Sequence, residues 1–388
     1  MKLKQVPEDF KVFEEGEFKT SEERGDYKLY SLEKRGLETF ALLGHLSKKN
    51  GIPISKFGFA GLKDRHAVTT QYLTVPSEYG IITLAEKNFR LEFQGYLDRS
   101  IRLGDLKGNG FEITVRDLKK NELSPVYERA ESITRIGVPN YFDSQRFGSV
   151  VNGNFIIKSV MRGEYENAVK AFLTAYTKSE KASVKERKRL MLRDWDRITE
   201  LELSEGRTAA IVGGYKRTGD WLDAYRRIPS NMREIFVSTY QSHIWNRCLE
   251  QVLLKEIDRR RLYPIRYSLG TLLFYKNISD EEVNRLPETF KTVSHDMKPA
   301  EYEQTIIDGI LADEGVRLED FDIRSRTGNF FKSHERRTTV KPEDFSISPP
   351  TPDELNRKTK VDRHKINLKF RLPKGSYATI ITKRLFNK

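Results

Sequence analysis

Asp64 lies in the run Phe57-Gly-Phe-Ala-Gly-Leu-Lys-Asp-Arg-His-Ala-Val-Thr-Thr-Gln71, between Lys63 and Arg65. A carboxylate set among cations stays ionised at neutral pH and can serve as a nucleophile or a base. His66, Thr69, Thr70 and Gln71 add polar groups beside it, and Gly58 and Gly61 would let a ligand approach the backbone. Lys-Asp-Arg is also a common turn triplet, so a purely structural Asp64 is the competing reading of this stretch taken alone.

A second run, Val138-Pro-Asn-Tyr-Phe-Asp-Ser-Gln-Arg-Phe-Gly148, concentrates groups that recognise nucleotides. Asn140 and Gln145 carry amide donors and acceptors, Tyr141, Phe142 and Phe147 offer stacking faces, and Arg146 offers a fork for phosphate. Any one of these rings is more simply read as packed at a helix-to-loop junction. A third run, Arg102 to Val115, contains Gly108-Asn-Gly110 followed by alternating residues, which reads as a hairpin. Its GxG lacks a third glycine and a helix start, which argues against a dinucleotide site. No GxxxxGK[ST] run occurs, which weighs against an ATP-driven enzyme. Lys181, Lys185, Arg187, Lys188 and Arg189 form either a solvated helix face or a row of phosphate contacts.

Composition favours the phosphate reading. The 388 residues hold 69 Lys and Arg against 56 acids, a net charge of +13, which suits a polyanionic partner such as nucleic acid. Cys248 is alone, so there is no disulfide framework or cysteine zinc site. His45, His66, His243, His295, His334 and His364 are scattered without helix-face pairing, and no metal or other cofactor is expected. The first residues are too polar for a signal peptide, and no run approaches the roughly 18 apolar residues of a membrane span. A soluble, cytoplasmic monomer with no obligate protein partner is the default expectation.

The length suggests two domains. Strands are expected over 8–15, 26–32, 56–60, 69–75 and parts of 88–116, with a helix from about Leu37 that stops at Asn50-Gly51-Ile-Pro53. Residues 155–200 and 230–260 look helical. Pro349-Pro-Thr-Pro352 reads as a loop, Lys365 to Leu372 alternates as a strand, and Tyr377-Ala-Thr-Ile-Ile reads as another strand. The first 150 residues have an α+β texture. A final strand in need of partners suggests that the chain end returns to the first domain and that the middle is an insertion.

Six runs in order carry a resemblance. They are Lys4-Gln-Val-Pro-Glu-Asp-Phe10, Phe59 to Gln71, Leu103-Gly-Asp-Leu-Lys-Gly-Asn-Gly-Phe111, Val138 to Gly148, Thr239-Tyr-Gln-Ser-His-Ile-Trp-Asn246 and Leu372-Pro-Lys-Gly-Ser-Tyr-Ala-Thr379. In these runs the chain resembles the TruD family of tRNA pseudouridine synthases. The resemblance implies an α+β catalytic domain with a mixed, mainly antiparallel sheet, built from residues 1–154 and 336–388. An inserted α/β TRUD domain, residues 155–335, would face it across an RNA-binding cleft. The implied reaction is cofactor-free isomerisation of uridine to pseudouridine in tRNA, at uridine 13, with the target base flipped out of its stack. Asp64 matches the family's catalytic aspartate, Phe142 the aromatic that packs on the target base, Asn140 the active-site amide and Lys4 an N-terminal lysine nearby. Tyr377 stands where the family carries Phe. Arg65 stands where some relatives carry Lys, and Lys4 or Arg65 would keep Asp64 ionised; His66, Gln145 and Arg146 complete the substrate-binding candidates. A non-catalytic RNA-binding protein on the same scaffold, or a carboxylate–metal nuclease, are the alternatives.

Overall fold

The computed structural model describes residues 1–82, 84–177, 180–201, 206–357 and 362–386. The chain forms two compact units, the first made of Met1–Val138 and Thr339–Lys388, the second of Pro139–Thr338. Asp64, Lys4 and Tyr377 therefore belong to the first unit, and Asn140 and Phe142 to the second.

Among the described residues the first unit is framed by one ten-stranded sheet. In chain order it begins with β1 (Phe10–Glu15), β2 (Tyr27–Arg35), β3 (Gly58–Phe59), β4 (Val68–Pro76), β5 (Leu84–Glu86), β6 (Phe89–Leu97) and β7 (Gly108–Leu118). The order across it is Glu343–Ile347, His364–Pro373, β7, β1, β4, β2, β6, β5, with Thr351–Pro352 added to the His364–Pro373 strand and β3 to β4. Within it only β1 and β4 pair in parallel, so the sheet is mixed and mainly antiparallel, as an α+β fold requires. The last long strand alternates buried and exposed residues as its sequence does, and it lies antiparallel to β7. Val12, Phe111 and Phe370 stand side by side across three strands.

Helix α1 (Thr39–Asn50) begins where Glu38 accepts from the Ala41 amide and ends at Gly51, which takes φ 66°. Its Leu42, Leu43 and Leu46 are buried with Tyr30, Leu32, Leu73 and Leu91 of the sheet. Each such side chain contributes about 1.5–3 kcal/mol by leaving water. Helix α2 (Ser124–Ile136) buries Val126, Ala130 and Ile133 and stops at Gly137. A Cβ on Gly137 would lie 2.7 Å from the Val340 carbonyl oxygen, so only glycine fits there.

Three local expectations are corrected. Tyr377 to Ile381 is not a strand: Ala378–Phe386 is a helix that buries Ala378, Ile381, Thr382 and Leu385. Its C-terminal carbonyl at Leu385 accepts from Arg129 Nη1 on α2 at 2.9 Å, so tertiary packing of an apolar helix face overrides the β-branched composition. Gly108-Asn109-Gly110 is not a hairpin turn but the start of β7, paired to Glu15, Glu14 and Phe13 on one side and to Pro373, Leu372 and Arg371 on the other. A Cβ on Gly108 would sit 2.3 Å from the Leu372 carbonyl oxygen, so the glycine serves strand packing. Gly58 likewise admits protein rather than ligand, since its Cβ would meet Ser100 Oγ at 2.1 Å and Thr74 Oγ1 at 2.3 Å.

The second unit is mainly helical. Its longest element, the 27-residue helix Ser230–Glu256, buries Tyr240, Ile244, Trp245, Cys248, Leu249 and Val252. Short antiparallel pairs join Leu262–Tyr267 to Gly270–Tyr275, and Thr289–Lys291 to Glu335–Arg337. No helix among the described residues is long and apolar enough to cross a membrane.

Candidate active site

Asp64 sits in the loop between β3 and β4. Its Oδ1 accepts from the His66 amide at 2.9 Å, which makes it the turn residue that its local sequence suggests. Its Oδ2 is paired with Lys4 Nζ, and both side chains are mostly buried. The lysine is also placed over the Phe10 ring, 4.1 Å from its centroid. Burial alone would raise the Asp64 pKa; the Lys4 ammonium and the His66 amide outweigh it and hold the carboxyl below its ordinary value. The carboxylate is thus ionised and ready to act as a nucleophile or base.

Lys4, not Arg65, is the counter-ion: Arg65 and His66 are exposed. The lysine backbone takes φ 54°, a left-handed conformation that is strained for a side chain with a Cβ. The next residues hold it there. Asp9 Oδ2 accepts from the Gln5 and Val6 amides at 3.1 and 3.2 Å, and Lys2 and Arg116 exchange backbone hydrogen bonds at 2.8 and 3.0 Å. Asp9 is anchored in turn by Arg116 Nε at 2.8 Å, and Arg116 Nη1 reaches Asp353 at 3.1 Å and Glu354 at 3.0 Å.

Beneath the loop lies a buried polar layer that sequence reasoning missed. Lys34 on β2 is fully buried and donates to the carbonyls of Leu37 at 2.8 Å, Asp64 at 3.0 Å and Lys63 at 3.4 Å. Burial pushes its pKa down to about 8, opposed by Asp64 and Glu38. Lys63 pairs with buried Glu14 at 2.6 Å and donates to Asn109 Oδ1 at 2.9 Å. The one signal for Lys34 in the sequence is a lysine on the inward phase of an alternating strand. Tyr377 is half-buried at the turn after His364–Pro373, where Gly375 takes φ 81°.

In the second unit residues 139–148 of the second sequence run are held by the Ser230–Glu256 helix. Asn246 accepts from the Phe142 amide and donates to its carbonyl, both at 2.8 Å, so one side chain fixes both polar groups of that residue's backbone. The Phe142 ring packs edge-on to buried Trp245, with centroids 5.7 Å apart. Ser242 accepts from Arg146 Nε at 3.0 Å and Thr239 donates to the Arg146 carbonyl at 3.2 Å. Thr239, Ser242, Trp245 and Asn246 thus explain why the Thr239-to-Asn246 run accompanies the other.

Asn140 is buried, and its amide serves the protein. Nδ2 donates to the Arg337 carbonyl at 3.1 Å, and Oδ1 accepts from Arg336 Nη2 at 3.0 Å. Arg336 also donates to the Asn140 carbonyl, and its guanidinium lies 3.9 Å over the Phe142 ring and 4.8 Å over Trp245. Arg336 had no sequence signal, because its importance comes from a strand 196 residues away from Asn140. Phe142 remains partly exposed, while Gln145 is exposed and Arg146 half-buried.

The basic helix Ala182–Arg193 divides. Lys188 is taken by Glu180 and the Ala175 carbonyl, each at 2.8 Å. Lys185 and Arg189, with Lys170, Tyr176, Asn152, Asn154 and Asn167, line a cleft of about 630 Å³. Lys181 and Arg187 are exposed.

The first unit thus places a lysine-paired carboxylate, Asp64, on a loop between two strands of a mixed, mainly antiparallel sheet. A family profile described as tRNA pseudouridine synthase D (TruD) matches residues 1–265 and 275–385. The relative from Methanococcus maripaludis, named "Probable tRNA pseudouridine synthase D 1", is 39% identical over 100% of both chains. The tRNA pseudouridine synthase D of Aquifex aeolicus is 31% identical over 100% of this chain and 98% of its own. A solved chain from Methanosarcina mazei, assigned to the same enzyme, superposes with a TM-score of 0.67 at 26% identity, covering 100% of this chain and 93% of that one. The chain belongs to the TruD family of tRNA pseudouridine synthases.

The Lys4–Asp64 pair makes a prediction. Lys4→Met removes the main group that lowers the Asp64 pKa, so the acid limb of the pH–rate profile should move to higher pH. Because the folded-state pKa lies below the unfolded one, the pair stabilises the fold at neutral pH, and that stabilisation is lost as pH falls through the folded value. Acid titration of the variant followed by circular dichroism should therefore show a smaller loss of stability than the parent. An unmoved acid limb would show that another group holds the proton balance.

Proposed function

We propose that this enzyme isomerises uridine to pseudouridine in tRNA, at uridine 13, with Asp64 as its catalytic carboxylate. Family membership supports the reaction class, and the Lys4–Asp64 pair is the observation that carries the residue assignment. In the reaction the N1–C1′ bond breaks, the uracil turns, and C5 bonds to C1′ while the C5 proton leaves and N1 gains one. Atoms and electrons balance within the nucleotide. An ionised Asp64 supplies a base or nucleophile, and Lys4 keeps it ionised in a largely buried place.

Phe142 would stack on the flipped uracil, in place of the neighbours that the base has left. Asn140 acts through Arg336, whose guanidinium it holds on the Phe142 ring. The first unit serves as the catalytic domain and the second as the inserted domain; Lys185 and Arg189 are its phosphate-contact candidates, and Arg65, His66, Gln145, Arg146 and Tyr377 are candidates for substrate contact.

The direct test is incubation with unmodified tRNA transcript, with chelator present, followed by carbodiimide mapping of pseudouridine. A single stop at position 13 supports the reading; a stop elsewhere relocates the target, and none removes the activity. Phe142→Ala should lower kcat/KM roughly 10- to 100-fold while the melting temperature moves little, because the ring is partly exposed. A large fall in melting temperature would instead make Phe142 a packing residue.

A further inference from the structure

Leu103 has the highest fractional exposure, 73%, among the large apolar side chains of the described residues. A lone exposed leucine is ordinary, but this one is displayed by a rigid turn. Buried Ile101 and partly buried Leu106 anchor the turn from either side. Asp105 closes it: its amide donates to the Arg102 carbonyl at 3.0 Å, and its Oδ2 accepts from the Arg102 amide at 2.9 Å and from Arg99 Nη1 at 2.5 Å. Gly104 takes φ 90°, a conformation that favours glycine.

The turn is joined to the loop that carries Asp64. The Gly104 amide donates to the Ala60 carbonyl at 2.9 Å, and Ala60 shares a buried cluster with Ile101. The same loop displays a second exposed leucine, Leu62, at 55%. Cations neighbour both: exposed Arg65 follows Leu62 by three residues, exposed Arg102 precedes Leu103, and Lys374 Nζ donates to the Gly104 carbonyl at 3.2 Å. Apolar side chains rimmed by cations and pinned to a catalytic loop suit a duplex or stacked RNA strand. The cations meet phosphates, and the apolar group enters the stack.

We propose that Leu103, seconded by Leu62, is the wedge that fills the RNA stack when the target nucleotide leaves it. Arg65, Arg102 and Lys374 hold the flanking phosphates. The inference rests on the reading that Asp64 acts on a flipped uridine. A nucleotide taken out of its stack leaves a gap whose cost falls on the enzyme, and an apolar side chain already fixed in place fills it without losing conformational freedom.

The test uses the full chain and a tRNA carrying 2-aminopurine next to the target uridine. Its fluorescence rises when the stack opens. With the parent protein at saturation the signal should rise, and with Leu103→Ser it should stay near that of free RNA. On unlabelled tRNA, Leu103→Ser should lower kcat about 10- to 100-fold with KM changed less than about threefold, and Leu103→Met should restore most of the loss. The melting temperature should be unchanged, given the exposure of the side chain.

Parent-like fluorescence and kcat in Leu103→Ser would overturn the wedge. So would a lowered melting temperature that Leu103→Met does not share. The fluorescence signal does not depend on product. If the parent opens the stack through Leu103 but forms no pseudouridine, the proposed reaction fails and the wedge stands. If the parent forms pseudouridine and Leu103→Ser is silent in both assays, the wedge fails and the reaction stands.

Discussion

Asp64→Asn is expected to lower pseudouridine formation by roughly 10⁴-fold, the upper end of what one positioned acid or base supplies. Binding of unmodified tRNA should stay within about threefold of the parent, because phosphate contacts rather than one small side chain dominate such affinities. The substitution is nearly isosteric and keeps an oxygen to accept from the His66 amide. It deletes only the charge that faces Lys4. Single-turnover conversion and filter binding, measured on the same preparation, separate the two effects. If binding and conversion fall together, Asp64 is the turn residue of its local sequence and nothing more. If conversion survives, the carboxylate is dispensable and the residue assignment is wrong.

The second large effect lies in the buried charge cluster around Arg116. Arg116→Met should destabilise the first unit by about 3–5 kcal/mol, the loss expected when one partner of a buried ion pair is removed. Arg116, Asp9 and Asp353 have side chains that are 8%, 1% and 0% exposed, so the variant strands two buried carboxylates. Burial would raise the Asp353 pKa, but the Asp117 amide, Asn356, the Leu355 amide and Arg116 together hold it low. A lowered carboxyl pKa stabilises the fold above the unfolded value and ceases to do so as pH falls through the folded value. The variant should therefore be less sensitive to acid as well as less stable at pH 7. Urea unfolding at pH 7 and over a series of pH values below the ordinary carboxyl value of 3.8 checks both. A loss below about 1 kcal/mol would place the cluster with exposed pairs of little consequence.

The same cluster links stability to chemistry. Arg116 holds Asp9, Asp9 caps the Gln5 and Val6 amides, and that turn holds Lys4 in its left-handed conformation against Asp64. Arg116 is far in sequence from its partners, 107 residues from Asp9 and 237 from Asp353. Lys4 was legible only through the resemblance, since nothing in its own surroundings marks it. Arg336 was not legible, because it acts from a distant strand, and Lys34 was marked only by its inward phase in an alternating strand.

Local readings fared best where a backbone signal was strong. Gly51 ends α1 as its position before Pro53 suggested, and the alternation from Lys365 to Leu372 is a strand with one buried face. They failed where packing decides. A β-branched stretch after Tyr377 became a helix because its apolar face meets α2, and a Gly-Asn-Gly run became strand because two neighbours press on it.

By itself, the sequence determined the family and the α+β class, because ordered motifs and residue periodicity are properties of the chain. Only the tertiary structure decided that Lys4 rather than Arg65 faces Asp64, and that Asn140 is turned inward to hold Arg336 on Phe142. Ionisation and side-chain placement depend on distances of a few ångströms between groups far apart along the chain. Those distances are set by sheet register and buried charge pairing, which no local pattern encodes.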